Sequence, residues 1–184
     1  MSLLQDLKRR ILGRPKTEGM SLPTEQEINP EGDSYDGQTA VDHFLGKSQE
    51  QITKEWGENG HYYYEDLYYM GPRAFCFYFP AVVDYVTTAG IRDGNDVPGV
   101  LCPVVESRLK YHFSEIREAL PAIVRFADYV LTHYDDFGYD PDFNEDLRPR
   151  LTAIRHQCAG ASPNGGPAAP LGNSGASGGP PSVS

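Results

Sequence analysis

The sequence lacks the short motifs that identify the common enzyme classes. It contains no GxSxG nucleophile elbow, no GxxxxGK[ST] phosphate-binding loop and no GxGxxG dinucleotide fingerprint. It also lacks the HExxH helix of zinc peptidases, although it has five histidines. These absences favour a non-enzymatic protein that needs no cofactor, and they leave an enzyme possible only through a site assembled from distant residues.

Cysteine is scarce, and its pattern is not that of a cross-linked or zinc-binding protein. Cys76, Cys102 and Cys158 are odd in number, widely spaced and without a CxxC pair. This argues against a disulfide framework and against a zinc site of the usual spacing. A reducing cytoplasm is the simplest location for such a chain. Cys76 lies among aromatic residues, so we expect it in the core.

No hydrophobic run is long enough to cross a bilayer. The longest covers residues 74–83 and contains Pro80, which is about half of the ~20 apolar residues that a transmembrane helix requires. The first residues are basic but lack the following apolar stretch of a signal peptide. The sequence therefore predicts a protein without a transmembrane segment.

Charge is absent from the C-terminal end of the chain. Residues 159–184 contain seven Gly, five Pro, five Ser and five Ala, and none of these 26 residues is charged. Such a segment has little apolar surface to offset the entropy cost of ordering it. We therefore predict a disordered tail over residues 158–184.

The charge that is present divides the chain into a basic start and an acidic body, with a net charge of −10. Residues 1–16 carry five basic side chains and one acidic one, whereas residues 17–157 carry 11 basic and 25 acidic ones. An acidic body repels the phosphate backbone, which argues against general nucleic-acid binding. It suits a basic protein partner, and solubility alone is the alternative explanation.

The N-terminal part divides into a short helix and a linker. Apolar residues at helical spacing predict an amphipathic helix over residues 1–14: Leu3, Leu4, Leu7, Ile11 and Leu12. This helix could bind a membrane surface or a partner, or dock on its own domain. Glycine and proline interrupt residues 15–38, which we predict to be a linker. A single helical domain is expected over residues 39–157.

Helix signals run through the first half of this domain. A helix over residues 40–45 precedes one over 49–56, which Ser48 and Gln51 would open with a capping box and Gly57 would end. The next helix is predicted over residues 73–88, with Pro72 at its start and a kink at Pro80. Alternating Phe residues leave a strand over residues 73–79 as the alternative.

Helix signals continue in the second half. We predict a polar turn over residues 91–100 and helices over 103–112, 115–134 and 144–157. Ser114 would cap the second of these helices and Pro121 would kink it. Leu147, Leu151 and Ile154 would face inward from the last one. The fold class is therefore mainly α.

Tyrosine is concentrated in the middle of the chain, with seven of the twelve between residues 62 and 85. Tyrosine combines apolar area with a polar tip and is favoured at recognition surfaces. Tyr64, Tyr68 and Tyr78 are therefore candidate interaction residues. The alternative is a core in which the hydroxyl groups reach solvent.

Asp84 is the acidic residue with the most apolar surroundings in the sequence, Ala-Val-Val-Asp-Tyr-Val. If it is buried, it needs a partner, because an unpaired buried carboxylate is costly. With Tyr78 and a histidine it could form the site of a small enzyme. Alternatively, Asp84 faces water on the polar side of its helix.

The acidic stretch near residue 140 resembles the start of a calcium-binding loop. Asp140, Asp142 and Asn144 occupy alternate positions, but the sixth and twelfth positions hold Glu145 and Leu151 instead of the required Gly and Glu. We therefore predict no metal site here.

The run Ala-Phe-Cys-Phe-Tyr-Phe-Pro-Ala over residues 74–81 resembles the A-F-x-Y-Y-L-P-A-like signature of a family of small bacterial proteins, a domain of unknown function. Phe77 and Phe79 replace the usual Tyr and Leu, and Arg117 stands where a Gln often follows a helix-opening Ser. The resemblance covers roughly residues 40–134. It implies a bacterial source and a helical domain, and it implies no activity and no site residues.

Together, these features predict a non-enzymatic protein-interaction or accessory module of the bacterial cytoplasm, of the immunity type for example. One alternative is a small enzyme with a site around Tyr78 and Asp84. The other is a peripheral membrane adaptor that uses residues 1–14. The identity of the partner and the oligomeric state are not predicted.

Overall fold

The computed structural model of the chain describes residues 20–32, 35–88, 96–138 and 145–160, without the side chains of 57–62. All regular secondary structure in these residues is helical, which confirms the mainly α fold class. The α-helices are α1 (Glu25–Ile28), α2 (Tyr35–Phe44), α3 (Gln49–Tyr63), α4 (Asp66–Tyr69), α5 (Pro72–Thr88), α6 (Val97–Tyr111), α7 (Leu120–Thr132) and α8 (Arg148–Ala159). Two 3₁₀ helices, Arg117–Ala119 and Tyr134–Phe137, flank α7.

Helix α5 forms the centre of the domain. Its residues 74–83 are all buried, as expected of a helix that is apolar on every side. Helix α3 packs along one side of α5 and α7 along another. Phe75 and Phe79 stack on each other with ring centroids 4.9 Å apart, and Phe126 of α7 meets Phe79 edge-on. The prediction of a helix rather than a strand is confirmed, with Pro72 as its first residue.

Helix α3 begins as predicted but continues further. Ser48 and Gln51 form both hydrogen bonds of the capping box. The helix then passes Gly57 and ends at Tyr63, so the prediction that Gly57 stops it is wrong. A glycine inside a helix costs about 1 kcal/mol relative to alanine. Packing along α5, where Ile52 and Trp56 are buried, offsets this cost.

The predicted linker is helical in much of its described part. Thr24 and Glu27 form a second capping box at the start of α1, and Ile28 is fully buried. Arg73 holds this segment to α5, since its guanidinium lies 3.0 Å from the Glu27 carboxylate and donates to the Ser21 carbonyl. Helix α2 begins at residue 35. The helical domain therefore extends upstream of the expected boundary at residue 39.

The second half of the domain differs from the prediction mainly at helix starts. Asp96 caps α6, so residues 97–100 belong to that helix and not to a polar turn. A 3₁₀ helix precedes α7, and Ser114 does not cap it. Pro121 lies in the first turn of α7, where the absent N–H costs no hydrogen bond, and it does not interrupt the helix.

Helix α8 packs on α7 and α6 through the residues predicted to face inward. Leu147, Leu151 and Ile154 are buried, as expected. Cys158 is also buried and α8 ends at Ala159, so the first residues assigned to the tail belong to the domain.

Several predictions fall outside the described residues. They are the amphipathic helix over residues 1–14, the residues Asp140, Asp142 and Asn144, the start of the last predicted helix, and the tail beyond residue 160. Across the ranges that are described, no helix combines the length and the apolar character needed to cross a bilayer.

Candidate functional site

Tyr78, one of the predicted interaction residues, is a core residue of α5. Its side chain is fully buried, and its hydroxyl oxygen lies 2.7 Å from the Phe44 carbonyl oxygen and 3.2 Å from that of Lys47. Burial raises the pKa of Tyr78 to about 12, so the hydroxyl stays protonated and donates. Tyr78 therefore ties the connection between α2 and α3 to the central helix.

Asp84 is half-buried and has the cationic partner that burial requires. Its Oδ1 lies 2.6 Å from Nη2 of Arg125 in α7, and the two side chains are 19% and 16% exposed. The same guanidinium nitrogen is 3.3 Å from the Pro80 carbonyl oxygen. Asp84 thus joins α5 to α7, and the expectation that it faces water is wrong.

The structure does not bring Tyr78 and Asp84 into one site. The two residues are six positions apart on one helix, which places them on well-separated faces. The Tyr78 hydroxyl faces the α2–α3 connection, whereas Asp84 faces α7. Among the described residues, neither a histidine nor a carboxylate forms a hydrogen bond with Tyr78.

Tyr64 and Tyr68 lie instead on an exposed surface around α4. Tyr68 and the adjacent Tyr69 are each 38% exposed. The Tyr64 hydroxyl donates to Glu65 Oε1 at 3.1 Å. Helix α2 packs against α4 and contributes one more acidic residue. We name this surface the acidic tyrosine face, consisting of Asp36, Tyr64, Glu65, Tyr68 and Tyr69.

Carboxylates raise the pKa of two of the three tyrosine hydroxyl groups of this face. A hydrogen bond to the Glu65 carboxylate raises the pKa of Tyr64. The nearby Asp36 carboxylate likewise raises the pKa of Tyr69. For Tyr68, partial burial is the main cause of the raised pKa. The negative charge of the face therefore comes from its carboxylates, and the tyrosines contribute neutral aromatic area.

A buried carboxylate–imidazole pair lies directly behind the acidic tyrosine face. His43 Nδ1 of α2 is 2.7 Å from Asp66 Oδ2 of α4, and the side chains are 30% and 4% exposed. The Tyr63 ring meets the His43 ring edge-on, with centroids 4.8 Å apart. Burial raises the pKa of Asp66 to about 6, against the lowering effect of the hydrogen bond to His43.

Arg108 of α6 anchors α4 from the opposite side. It is 3% exposed, and its Nε and Nη2 both donate to the Leu67 carbonyl oxygen. Its guanidinium carbon lies 5.2 Å from the centroid of the Phe75 ring. Burial lowers the pKa of Arg108 to about 10, so it remains cationic at neutral pH. Helix α4 is thus attached by one polar contact to α2 and another to α6.

Sequence reasoning missed both of these anchors. The residues of each pair are far apart along the chain: His43 is 23 residues from Asp66, and Leu67 is 41 residues from Arg108. No local pattern marks such a pairing. The one available signal was the position of Asp66 directly before the apolar Leu67.

The cysteines do not extend this surface. All three are buried free thiols, as expected for Cys76. Burial raises the pKa of Cys76 and Cys158 to about 11 and that of Cys102 to about 12, so none is an activated nucleophile. Within the described ranges, no three His, Cys, Asp or Glu residues are arranged to hold a metal ion.

Comparison of the chain with protein-family models, with curated proteins and with solved structures gives no match.

Proposed function

We propose that this protein is a non-enzymatic interaction module that binds a basic partner protein through the acidic tyrosine face. The observation that carries the proposal is the exposure of Tyr68 and Tyr69, with Asp36 and Glu65 close to Tyr69, on a helix that buried contacts hold in place. Lysine and arginine side chains bind well to a surface that combines aromatic rings with negative charge. These cations gain from carboxylates and from the faces of aromatic rings.

The attachment of α4 supports binding without a large ordering cost. A one-turn helix is unstable in isolation, but here the Arg108 contact to Leu67 and the His43–Asp66 pair fix its backbone. The Tyr64 hydroxyl group is also held by the Glu65 carboxylate. A surface arranged before binding loses little conformational entropy when a partner docks.

The charge of the chain supports the same type of partner. Residues 17–157 carry 14 more acidic than basic side chains. Such a field raises the encounter rate with a cationic protein and disfavours anionic ones. Nucleic acid is therefore not part of the proposal.

The proposal includes a setting in a bacterial cytoplasm. The three free thiols support a reducing compartment. The run over residues 74–81 supports membership of the bacterial family with the A-F-x-Y-Y-L-P-A-like signature. An accessory or immunity-type role is consistent with a module that acts by binding.

A defined cationic peptide tests the proposal without knowledge of the natural partner. Fluorescence anisotropy would follow a labelled oligo-arginine peptide, with an oligo-glutamate peptide as the negative control. The double substitution Tyr68→Ala and Tyr69→Ala should weaken oligo-arginine binding about ten-fold or more, as expected for exposed aromatic contact residues.

The matched control is Tyr111→Ala. Tyr111 is 65% exposed at the end of α6, and the Lys110 ammonium group lies over its ring. This substitution should leave the affinity unchanged. Equal affinity of the unaltered protein and the double variant would contradict the proposal, as would an equal loss in Tyr111→Ala.

A further inference from the structure

The carboxylate of Asp66 is placed to influence the acidic tyrosine face without touching a partner. Its side chain is 4% exposed, so a docked protein cannot contact it. It nevertheless adjoins Glu65 in the chain and interacts electrostatically with Asp36 as well. Both of those residues belong to the face. The charge of Asp66 therefore adds to the field that a bound cation experiences.

The groups around the His43–Asp66 pair come from every element packed on α4. Helix α2 contributes His43 and Asp36, and Glu65 immediately precedes α4. From α3 the uncharged Tyr63 ring packs on His43. From α6 the Arg108 guanidinium binds the carbonyl of the next residue, Leu67. Among these groups, His43 and Asp66 share the direct hydrogen bond.

We propose that proton uptake by the His43–Asp66 pair weakens the binding of a basic partner to the acidic tyrosine face, which makes the interaction pH-dependent. This inference rests on the proposed function of the face. It adds control of partner binding by pH, through a pair of residues that lies outside the face.

Thermodynamic linkage sets the direction of the effect. A cation bound at Asp36 and Glu65 relieves their repulsion of the Asp66 carboxylate, so binding favours the ionised form of Asp66. The coupling is reciprocal, so protonation of Asp66 must disfavour the bound cation by the same factor. A proton on His43 acts in the same direction, because it adds positive charge behind the face.

The test measures the affinity of the labelled oligo-arginine peptide across the range in which imidazole and buried carboxyl groups titrate. Arginine keeps its charge throughout this range, so changes in affinity arise from the protein. Between about pH 7.5 and pH 5.5 we expect an approximately five-fold loss of affinity, the size of one screened charge interaction at close range. Circular dichroism at both pH values verifies that the protein remains folded.

Two substitutions separate this pair from other titrating groups. Asp66→Asn should bind weakly already at pH 7.5 and should lose less affinity down to pH 5.5 than the unaltered protein. His43→Gln should move the midpoint of the affinity change to higher pH, because His43 lowers the pKa of Asp66. The control is His112→Gln, which alters a second His–carboxylate contact among the described residues, His112 to Glu115 at 3.0 Å near the end of α6. It should leave the midpoint unchanged.

The outcomes distinguish this inference from the proposed function. Absence of oligo-arginine binding at every pH would contradict the proposed function itself. Binding that weakens with acid to the same extent in Asp66→Asn would overturn the inference and leave the proposed function intact. If Asp66→Asn does not fold, His43→Gln decides, and an unchanged midpoint in that variant overturns the inference.

Discussion

Helices α4 and α5 are neighbours in the chain, separated only by Met70 and Gly71, yet they depend to different degrees on apolar packing and on polar contacts. Helix α5 is surrounded by apolar side chains, and its stability comes from buried area. Helix α4 has a single turn, and polar contacts from Arg108 and His43 fix it in place. The comparison teaches that the core of this domain depends mainly on buried apolar area, whereas its exposed face depends more on polar contacts.

The same residue type shows this difference directly. Tyr78 in α5 is fully buried, with its hydroxyl against two main-chain carbonyl groups. Tyr69 in α4 is exposed, with the Asp36 carboxylate nearby. Tyr78 thus stabilises the core, whereas Tyr69 remains available for recognition.

The largest expected effect on stability comes from a substitution in the core around α5. Phe79→Ala removes a fully buried ring that contacts Phe75 and Phe126. It should lower the free energy of unfolding by about 3–5 kcal/mol, the cost of deleting a core aromatic side chain. Urea denaturation measures the loss. Tyr68→Ala, on the exposed face, is the comparison and should cost less than about 1 kcal/mol.

A smaller effect is expected from releasing α4 on the side of α6. Arg108→Met leaves the buried Leu67 carbonyl without its donor, and an unsatisfied buried acceptor costs about 1–3 kcal/mol. Arg108→Met should accelerate amide hydrogen exchange in α4 more than in α5. The matched control is Arg155→Met, which removes an exposed contact to Asp128 and should cost no more than about 1 kcal/mol. Equal exchange rates in α4 before and after Arg108→Met would show that apolar packing alone holds this helix.

The smallest expected effect on stability compares the hydroxyl groups of Tyr78 and Tyr69. Tyr78→Phe removes the hydroxyl that binds the Phe44 and Lys47 carbonyl groups and should cost about 1–2 kcal/mol. Tyr69→Phe removes an exposed hydroxyl near the Asp36 carboxylate. Water can take the place of this hydroxyl, so the substitution should be close to neutral. Thermal unfolding of both variants measures the difference. A larger loss in Tyr69→Phe would contradict the assignment of the two roles.

The sequence predicted the parts of the fold that local chemistry controls. The Ser48 capping box and the start of α5 at Pro72 were found because each depends on residues close together in the chain. The equivalent box at Thr24 and Glu27 was missed, because the surrounding Pro and Gly residues suggested a linker. The length of α3 was missed because packing on α5 outweighs the local cost of Gly57.

The surface could be predicted only in part. Tyr64 and Tyr68 were identified by the density of tyrosine in their segment, and they lie on the acidic tyrosine face. Part of the charge of this face and much of its rigidity come from α2 and α6, through Asp36, His43 and Arg108. Such contacts depend on how helices pack, which no spacing within the sequence specifies.

The contact between α1 and the start of α5 provides a criterion for recognising relatives of this chain. The Gly71 N–H lies 2.8 Å from the Glu27 carbonyl oxygen, and a Cβ at position 71 would lie equally close to that oxygen. Any larger residue there would separate α1 from α5. Arg73, two residues later, pairs with the Glu27 side chain. A homologous protein should therefore keep Gly at position 71. If positions 27 and 73 differ in that protein, both should differ, and they should again carry opposite charges.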